Sequence, residues 1–395
     1  MQRTKRRTSW FAIGRRSCFP EVCLLVLLVL LLLPHGAFAA SLEERTEEVL
    51  SGLDLSRLQR ELEENELFAQ DAAALLKTLA SGQAVMTGED ALRWLADAAA
   101  GLFRDTLWRM TRLLIPALIS AVAEQLHLRR SLSGAAHYGG LMMTMGFLVA
   151  DLEAYVALCQ QSVAGMAGLM QALFPLLVTL LAAVGGAASS LFYQPAVMAA
   201  AGSMTALVTQ ATMPLAVSVA VLTMVGGLSS QLRVGKLCKL FRQAADWTLG
   251  LGFTVFIGVM TVQGLSAAAV DGVSIRTAKY AMDNFIPVVG GMFADTVDTL
   301  VGSSLLIQNA VGVLGLLLLL GRLMTPLLRT VAAMLLYRAV AAVLEPMTDS
   351  PLCGCISEYS EVFSLLFIIQ LSVGAMFLLL VAQLVMVGHF TVMLR

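Results

Sequence analysis

Long apolar runs alternate with short polar segments from about residue 103 to the C-terminus, and this pattern decides the fold class. Roughly 20 consecutive apolar residues carry an α-helix across a bilayer, and only helices or closed barrels satisfy the backbone inside lipid. The runs predict an all-α, polytopic membrane protein with about seven or eight transmembrane segments, some of them short or broken. The expected segments lie near 106–126, 134–150, 163–184, 196–228 (as two), 247–268, 301–320 and 362–388, with 325–345 as a weaker candidate.

Basic residues show which segments are doubtful. Segment 325–345 is a poor span because it contains Arg329 and Arg338, and we expect it at the membrane interface. The stretch Ala196–Leu228 is long enough for one tilted helix or two short ones, with Pro214 in its middle. Two crossings would keep the following basic loop in the cytoplasm, as the positive-inside rule favours, so we predict two. That loop carries Arg233, Lys236, Lys239 and Arg242.

The chain before residue 104 differs in character and divides in two. Residues 1–39 have a basic start, a short apolar run at Val22–Leu33 and small residues at Ala37 and Ala39, which predicts a cleaved signal peptide rather than an uncleaved anchor. Residues 40–103 are acidic, with thirteen acids against five bases between 41 and 100. Leucines at helical spacing predict amphipathic helices outside the cytoplasm, which serve either as a spacer or as a docking surface. Residues 104–395 then form the multi-span domain.

Composition narrows the function classes. The chain is 58% hydrophobic and 13% charged, against roughly 25% charged in soluble domains, and its net charge of -1 gives no field for nucleic acid. No metal-ligand spacing, phosphate-binding loop or nucleophile–base set is present in the sequence, so we expect no catalytic residues, no metal and no cofactor. Cys353 and Cys355 are too close in sequence for an unstrained disulfide.

One polar stretch, "FIPVVGGMFADTVDTL" at Phe285–Leu300, interrupts the apolar series. A proline and paired glycines should break any helix here, because they remove a donor and loosen the backbone. A new helix starting near Met292 would then place two aspartates in its first two turns, on one face and favoured by the helix dipole. We predict a broken helix at the outer membrane face. Its candidate functional residues are Pro287, Gly290, Gly291, Asp295 and Asp298.

Side-chain amides lie within the apolar runs or at their edges. A carboxamide facing lipid would be left unpaired, so these residues should face other helices or water. They either hold the bundle together through interhelical hydrogen bonds or line a polar conduit. Two of them, Gln308 and Asn309, follow the broken helix and are added to the candidate site. The others are Gln171, Gln210, Gln263, Gln370 and Gln383.

Two similar segments raise the question of a duplication. "SSLFYQPAV" at Ser189–Val197 and "SSLLIQNAV" at Ser303–Val311 share six residues at a spacing of 114. Chance similarity in a biased composition is one interpretation. The other is a duplicated helix bundle, with halves at about 163–268 and 280–390, whose junction would be a natural place for a site.

The stretch Lys279–Gly315 is similar to the signature of the stage III sporulation protein AE family: phenylalanine, a residue, proline, two valines and glycine, then an aspartate-rich turn and an asparagine-alanine-valine-glycine helix. The signal peptide, the acidic region and the polytopic remainder agree with that family. One departure is Gln308, where the family pattern has a lysine, so a role that needs positive charge there is not carried over.

The resemblance implies a polytopic, non-enzymatic subunit of the sporulation complex that connects mother cell and forespore and supports forespore development. The implied partners are a separate secretion-type ATPase, ring-forming single-span proteins and membrane lipid. The implied location is the mother-cell-derived membrane around the forespore. A secondary transporter with broken helices and a scaffold that recruits other subunits are the alternative functions.

Overall fold

The computed structural model describes residues 53–63, 71–82, 88–125, 130–228, 234–285, 290–346 and 351–393. These residues form nine α-helices and one π-helix, and no strand occurs among them. The predicted all-α membrane class is confirmed. The elements are α1 (Ser56–Glu63), α2 (Ala72–Ala80), α3 (Gly88–Gln125), α4 (Arg130–Ala183), α5 (Ala187–Leu207), the π-helix (Val208–Thr212), α6 (Met213–Leu228), α7 (Gly235–Phe285), α8 (Gly290–Leu344) and α9 (Pro351–Met393).

Helix α9 forms the centre of the bundle and packs most extensively against α8. The two helices are antiparallel, with Gln308 of α8 beside Leu384 of α9 at one end and Ala341 beside Cys353 at the other. The intervening 33 residues of α8 correspond to about 50 Å at 1.5 Å per residue. The α8–α9 seam is therefore longer than the roughly 30 Å hydrocarbon core of a bilayer.

Helix α4 lies beside the α8–α9 seam, antiparallel to α8. Tyr337 of α8 contacts Asp151 of α4, and Gly315 of α8 lies against Leu173 of α4. Helix α3 in turn runs antiparallel to α4. Helices α5, α6 and α7 complete the bundle on the other side of α9.

The helix ends gather at two opposite ends of the bundle. Gly227 near the end of α6 abuts Cys355 near the start of α9, and Thr223 lies beside Cys238 near the start of α7. We call this the Gly235 end. The opposite end, named the Gly290 end, holds the beginning of α8 and the last turns of α9, where Gly388 lies against Gln308.

Among the described residues, six helical runs are long and apolar enough to cross a membrane, rather than the predicted seven or eight. Two differences arise because predicted pairs of spans are single helices: α4 unites segments 134–150 and 163–184, and α8 unites 301–320 and 325–345. Two of the residues that suggested interruptions, Asp151 and Arg338, are paired with charges on neighbouring helices. Because a partner of opposite charge lies inside the bundle, the chain does not have to leave the membrane at these residues, and the helix can continue.

The prediction of two crossings in Ala196–Leu228 is wrong. Helix α5, the π-helix and α6 follow one another without a reversal, and Pro195–Leu228 is one 34-residue run. The irregularity expected near Pro214 is the π-helix just before it. There the Met213 N–H donates a hydrogen bond to the Val208 carbonyl, and the Thr212 hydroxyl donates one to the Leu207 carbonyl. The helix therefore changes its hydrogen-bond spacing at this point and continues in the same direction.

The N-terminal helices α1 and α2 are amphipathic as predicted, and their apolar faces pack within the protein. Leu58 and Leu62 of α1 and Leu75 and Leu76 of α2 are almost completely buried. Helix α2 packs against α8, and α1 packs against α4. Asp54 precedes α1 and accepts a 3.1 Å hydrogen bond from the Ser56 N–H; hydrogen bonding by Ser56 lowers the pKa of this carboxyl.

Every described residue belongs to one compact unit, Ala39–Arg395. The predicted boundary between residues 103 and 104 lies inside the continuous helix α3. The signal peptide, residues 1–39, lies outside the described residues. The division into an acidic region and a membrane domain and the duplication stay predictions.

Candidate functional site

The helix break predicted in Phe285–Leu300 would lie between helices α7 and α8. Helix α7 ends at Phe285 and α8 begins at Gly290. Pro287 falls between them, outside the described residues, and of Gly291 and its neighbours in the first turns only the helical backbone is described. The predicted break thus falls on residues 286–289, between the described parts of α7 and α8, and stays a prediction.

The two aspartates lie slightly deeper in the new helix than expected. Because α8 begins at Gly290 rather than near Met292, its first turn contains no acidic residue. Asp295 falls in the second turn and Asp298 in the third. Their spacing still places them on one face of α8, but the helix dipole acts mainly on the first turn and favours Asp298 little.

Gln308 lies in the α8–α9 seam and is completely buried. Its Nε2 donates a 3.1 Å hydrogen bond to the Leu384 carbonyl, whereas its Oε1 has no hydrogen-bond partner. Gly388 of α9 lies directly against the amide, so a side chain there would collide with it. The next residue, Asn309, pairs through Oδ1 with Nε2 of His389 at 2.9 Å, at the exposed edge of the seam.

Gln370 repeats this arrangement in the middle of the seam. It is fully buried, and its Oε1 lies 3.4 Å from the Thr330 hydroxyl, which makes its shorter hydrogen bond of 2.9 Å to the Pro326 carbonyl, while its Nε2 has no partner. Both buried glutamines thus join helices α8 and α9. Of the two interpretations of the intramembrane amides, the geometry of Gln308 and Gln370 matches interhelical hydrogen bonding.

A cluster that sequence reasoning missed surrounds Asp151 of α4. The Asp151 carboxylate accepts a 2.6 Å hydrogen bond from the Tyr337 hydroxyl. Two guanidiniums of α3, those of Arg109 and Arg112, lie 3.6 and 4.0 Å from its Oδ1. We call these four residues the Asp151 cluster. It joins α3, α4 and α8.

A second cluster ties α7 and α8 to α9. Arg242 of α7 hydrogen-bonds the Glu361 carboxylate and also reaches the Glu361 carbonyl. Arg338 of α8 approaches the other carboxylate oxygen at 3.5 Å. We call these three residues the Glu361 cluster. Because Arg338 directly follows Tyr337 on α8, the two clusters lie at the same height of the bundle.

Aromatic rings fill the interior between the two clusters. Phe363 stacks on Tyr337 with ring centroids 4.8 Å apart, and it meets Tyr155 and Tyr359 edge to face at 5.0 and 5.5 Å. The Tyr359 hydroxyl donates a 2.7 Å hydrogen bond to the Leu148 carbonyl. The interior at this height is packed with side chains.

The signal for these clusters was present in the sequence as ionisable residues inside apolar runs. Such residues in a membrane segment usually have partners. The charged partners are 23 to 119 residues apart along the chain, so one sequence cannot assign them.

Three of the described cysteines, Cys238, Cys353 and Cys355, lie at the Gly235 end. The Cys355 thiol lies 3.4 Å from the Thr223 carbonyl, and Cys238 lies 3.9 Å from the Thr223 hydroxyl. Cys353 contacts the Ala341 carbonyl. All four cysteines of the described residues are free thiols, and the described residues include no group of His, Cys, Asp and Glu that could hold a metal ion.

An open cavity of about 380 Å³ lies between α4 and α5. One wall is formed by Gln171 and neighbouring residues of α4, and the other by small residues and the hydroxyls of Thr205 and Thr209. Both hydroxyls donate to carbonyls of their own helix. The second wall ends in the π-helix.

Six long apolar helices, buried interhelical amides and paired intramembrane charges define a polytopic helical membrane protein. A family model described as stage III sporulation protein AE matches residues 70–388. The chain belongs to the stage III sporulation protein AE family, a sporulation family, and the resemblance seen at Lys279–Gly315 is confirmed.

A curated relative, the stage III sporulation protein AE of Bacillus subtilis (strain 168), is 35% identical over 235 residues. The aligned part is 60% of this chain and 59% of the relative, so the match spans less than two thirds of the relative's length. No solved structure matches the chain.

Proposed function

We propose that this protein is a non-enzymatic subunit of a sporulation-specific membrane complex that connects mother cell and forespore and supports forespore development. The proposed partners are other subunits of that complex, including a separate secretion-type ATPase and ring-forming single-span proteins. The proposed location is the mother-cell-derived membrane around the forespore. Its helix break at the Gly290 end, with Asp295 and Asp298, is the proposed contact site for another subunit or for the conduit.

The observation that carries the proposal is the length of the apolar helices. The membrane-crossing helical stretches of α4 and α8 are 46 and 44 residues long, or about 69 and 66 Å of helix. The hydrocarbon core of a bilayer is roughly 30 Å thick. One membrane does not cover their full length, and the apolar side chains exposed outside it are unfavourable neighbours for water. We expect other protein chains to pack against the apolar surface that lies outside the bilayer.

Exposed apolar side chains mark where such cover is needed. On α7 they form a stripe at helical spacing, and a second set follows the outer face of α3. These faces are available to lipid or to a partner helix. The α7 stripe contains Trp247, Leu251, Val255 and Val262, and the α3 set contains Trp108, Ile115, Ile119 and Val122.

The alternating directions of the six membrane-crossing runs support one orientation of the protein in the membrane. If the N-terminal region is extracytoplasmic, six alternating crossings place the Gly235 end, with Lys236 and Lys239, in the cytoplasm. This satisfies the positive-inside rule without the extra crossing that the sequence suggested. The Gly290 end and the C-terminus are then extracytoplasmic, on the side of the N-terminal helices.

A secondary transporter is the second candidate function, and the cavity beside the π-helix favours it. Irregular helix turns beside a cavity with a few polar groups, here Gln171, Thr205 and Thr209, occur in transporters. Solute uptake by the purified chain in liposomes separates the two functions. Saturable, gradient-coupled uptake by the chain alone would support the transporter and contradict the subunit.

Site-specific photocrosslinking in sporulating cells tests the subunit proposal at the apolar faces. A photoreactive residue at Ile119, Met142 or Leu251, each at least half exposed, should crosslink to other polypeptides in sporulating cells. The matched control is the same variant produced in non-sporulating cells, where the partners are absent. Crosslinks to lipid alone at all three positions in sporulating cells would contradict the proposal.

A further inference from the structure

Arg109 and Arg112 are one turn apart on α3, and their side chains are 44% and 50% exposed. Within the part of the chain that the structure describes, neither guanidinium donates a hydrogen bond to the protein. Their contacts are the two long ion pairs with Asp151 and two ring contacts, Arg109 over Tyr155 at 5.9 Å and Arg112 over Phe147 at 5.0 Å. Each guanidinium carries five N–H donors. The pair is therefore rich in unused donors.

The charge of the Asp151 cluster is not balanced. A single carboxylate faces two guanidiniums, and one of its oxygens is already engaged by the Tyr337 hydroxyl. The cluster keeps a net charge of about +1. The neighbouring carboxylates Asp105 and Glu153 form no ion pair with either arginine among the described residues.

The Glu361 cluster provides an internal comparison. It also contains two arginines and one carboxylate, but there Arg242 donates hydrogen bonds to both the carboxylate and the carbonyl of Glu361. Arg338 is 50% exposed, as is Arg112, and it reaches the same carboxylate at 3.5 Å. Arg242 of the Glu361 cluster thus makes two hydrogen bonds to the protein, whereas each arginine of the Asp151 cluster has only a long ion pair with one carboxylate oxygen.

The surroundings of the unused donors are those of a membrane boundary. Both arginines lie within the apolar run Ala96–Ala123 of α3. Trp108, next to Arg109, is 74% exposed. Tryptophan and arginine side chains favour the headgroup level of a bilayer, where an apolar stem and a polar tip are both satisfied. Arg329 of α8, a third exposed cation, lies close enough to the Tyr155 hydroxyl to interact with it electrostatically.

We propose that Arg109 and Arg112 bind the phosphate of an anionic phospholipid headgroup. Two guanidiniums one turn apart present paired N–H donors, the geometry that recognises phosphate oxygens. A phospholipid fits better than free phosphate because the exposed apolar side chains of Leu107 and Trp108 on α3 can contact acyl chains. The Asp151 cluster then marks the level of the bundle at which the membrane–water boundary lies.

The test is thermal unfolding of the purified full-length chain in a neutral detergent, titrated with phosphatidylglycerol, phosphatidylcholine or inorganic phosphate. Phosphatidylglycerol should raise Tm most. The double variant R109Q/R112Q should weaken the apparent affinity for phosphatidylglycerol by roughly tenfold or more. The control R338Q removes an equally exposed arginine from the Glu361 cluster and should keep the wild-type response.

A variant that should strengthen lipid binding keeps the test decisive if R109Q/R112Q does not fold. Asp151→Asn removes the competing negative charge while leaving both arginines, so it should strengthen the response to phosphatidylglycerol. The proposal is overturned by a wild-type response in R109Q/R112Q, by a loss of response in R338Q equal to that in R109Q/R112Q, or by a weaker response in D151N. An equal Tm rise with inorganic phosphate would assign the site to a free anion instead.

Discussion

The Tyr337 hydroxyl of α8 donates a 2.6 Å hydrogen bond to the Asp151 carboxylate of α4, although the two residues are 186 positions apart in sequence. Through this carboxylate the bond also fixes the position of α3, because Arg109 and Arg112 approach the same group. Three helices are therefore held together by one negative charge. This contact explains how α4 continues as a helix through a residue that the sequence pattern assigned to a loop.

Removing the hydroxyl tests how much this contact stabilises the bundle. Tyr337→Phe leaves the buried Asp151 without its hydrogen-bond donor, and a hydrogen bond to a charged group is worth about 1.5–3 kcal/mol. Tyr359→Phe is the matched control, since its hydroxyl donates to a neutral carbonyl and should cost about 0.5–1.5 kcal/mol. The free energy of unfolding in mixed micelles measures both. Equal costs would refute a special role of the charged acceptor.

Gln308 should tolerate an apolar replacement. Gln308→Met loses the hydrogen bond to the Leu384 carbonyl but also removes a buried oxygen without a partner. These effects oppose each other, so the free energy of unfolding should change by less than about 1 kcal/mol. Spore formation should stay near wild type. A folded Q308M protein that abolished spore formation would instead place this amide in a conduit or interface.

Close helix packing at Gly312 gives a third prediction. A methyl group at Gly312 would collide with Val385 of α9, whose β-branched side chain is stiff. Gly312→Ala should therefore destabilise the protein by about 1–3 kcal/mol. Gly302, in the same helix, has nothing near its missing side chain, and Gly302→Ala should be neutral or stabilising by up to about 1 kcal/mol. Comparable losses in both variants would contradict the packing of the α8–α9 seam.

Sidedness can be measured with single cysteines in a background without the native ones. Ser81→Cys, just after α2, should react with a membrane-impermeant thiol reagent added to intact cells. Lys236→Cys, an exposed position at the Gly235 end, should react only after the cells are opened. Outside labelling of Lys236→Cys would contradict the six-crossing arrangement with an extracytoplasmic N-terminal region.

The aspartates of the broken helix test the proposed contact site. Asp295→Asn with Asp298→Asn should impair assembly of the complex and reduce heat-resistant spores while the protein still reaches the membrane. The control replaces two exposed acids of α3, Asp97 and Asp105, and should sporulate normally. Normal sporulation with D295N/D298N would leave these carboxylates with only a local role in the helix.

The features that depend on local sequence were predictable. The buried leucines Leu58 and Leu62 of α1 follow from their helical spacing in the sequence. The continuity of α4 and α8 was not predictable, because it depends on charge pairs between distant segments. Asp151 and Arg338 look like loop or interface residues until their partners on other helices are known.

The single crossing of α5 and α6 was missed for a related reason. Pro214 removes a backbone donor, and one sequence does not show whether the chain turns back or changes its hydrogen-bond pairing. The structure shows the second outcome, with the π-helix at Val208–Thr212. Once α4 also counts as one run, the basic loop after α6 satisfies the positive-inside rule without a reversal.

Isolation of the tagged protein from sporulating cells in a mild detergent tests the central claim most directly. The membrane-crossing stretches of 46 and 44 residues extend beyond one bilayer and expose apolar side chains, so the protein should elute in an assembly with other membrane polypeptides in fixed ratio. The D295N/D298N variant, isolated in parallel, should yield less of that assembly. A tagged protein that supports normal sporulation yet elutes as a lone chain, with no other polypeptide in constant proportion, would contradict the account.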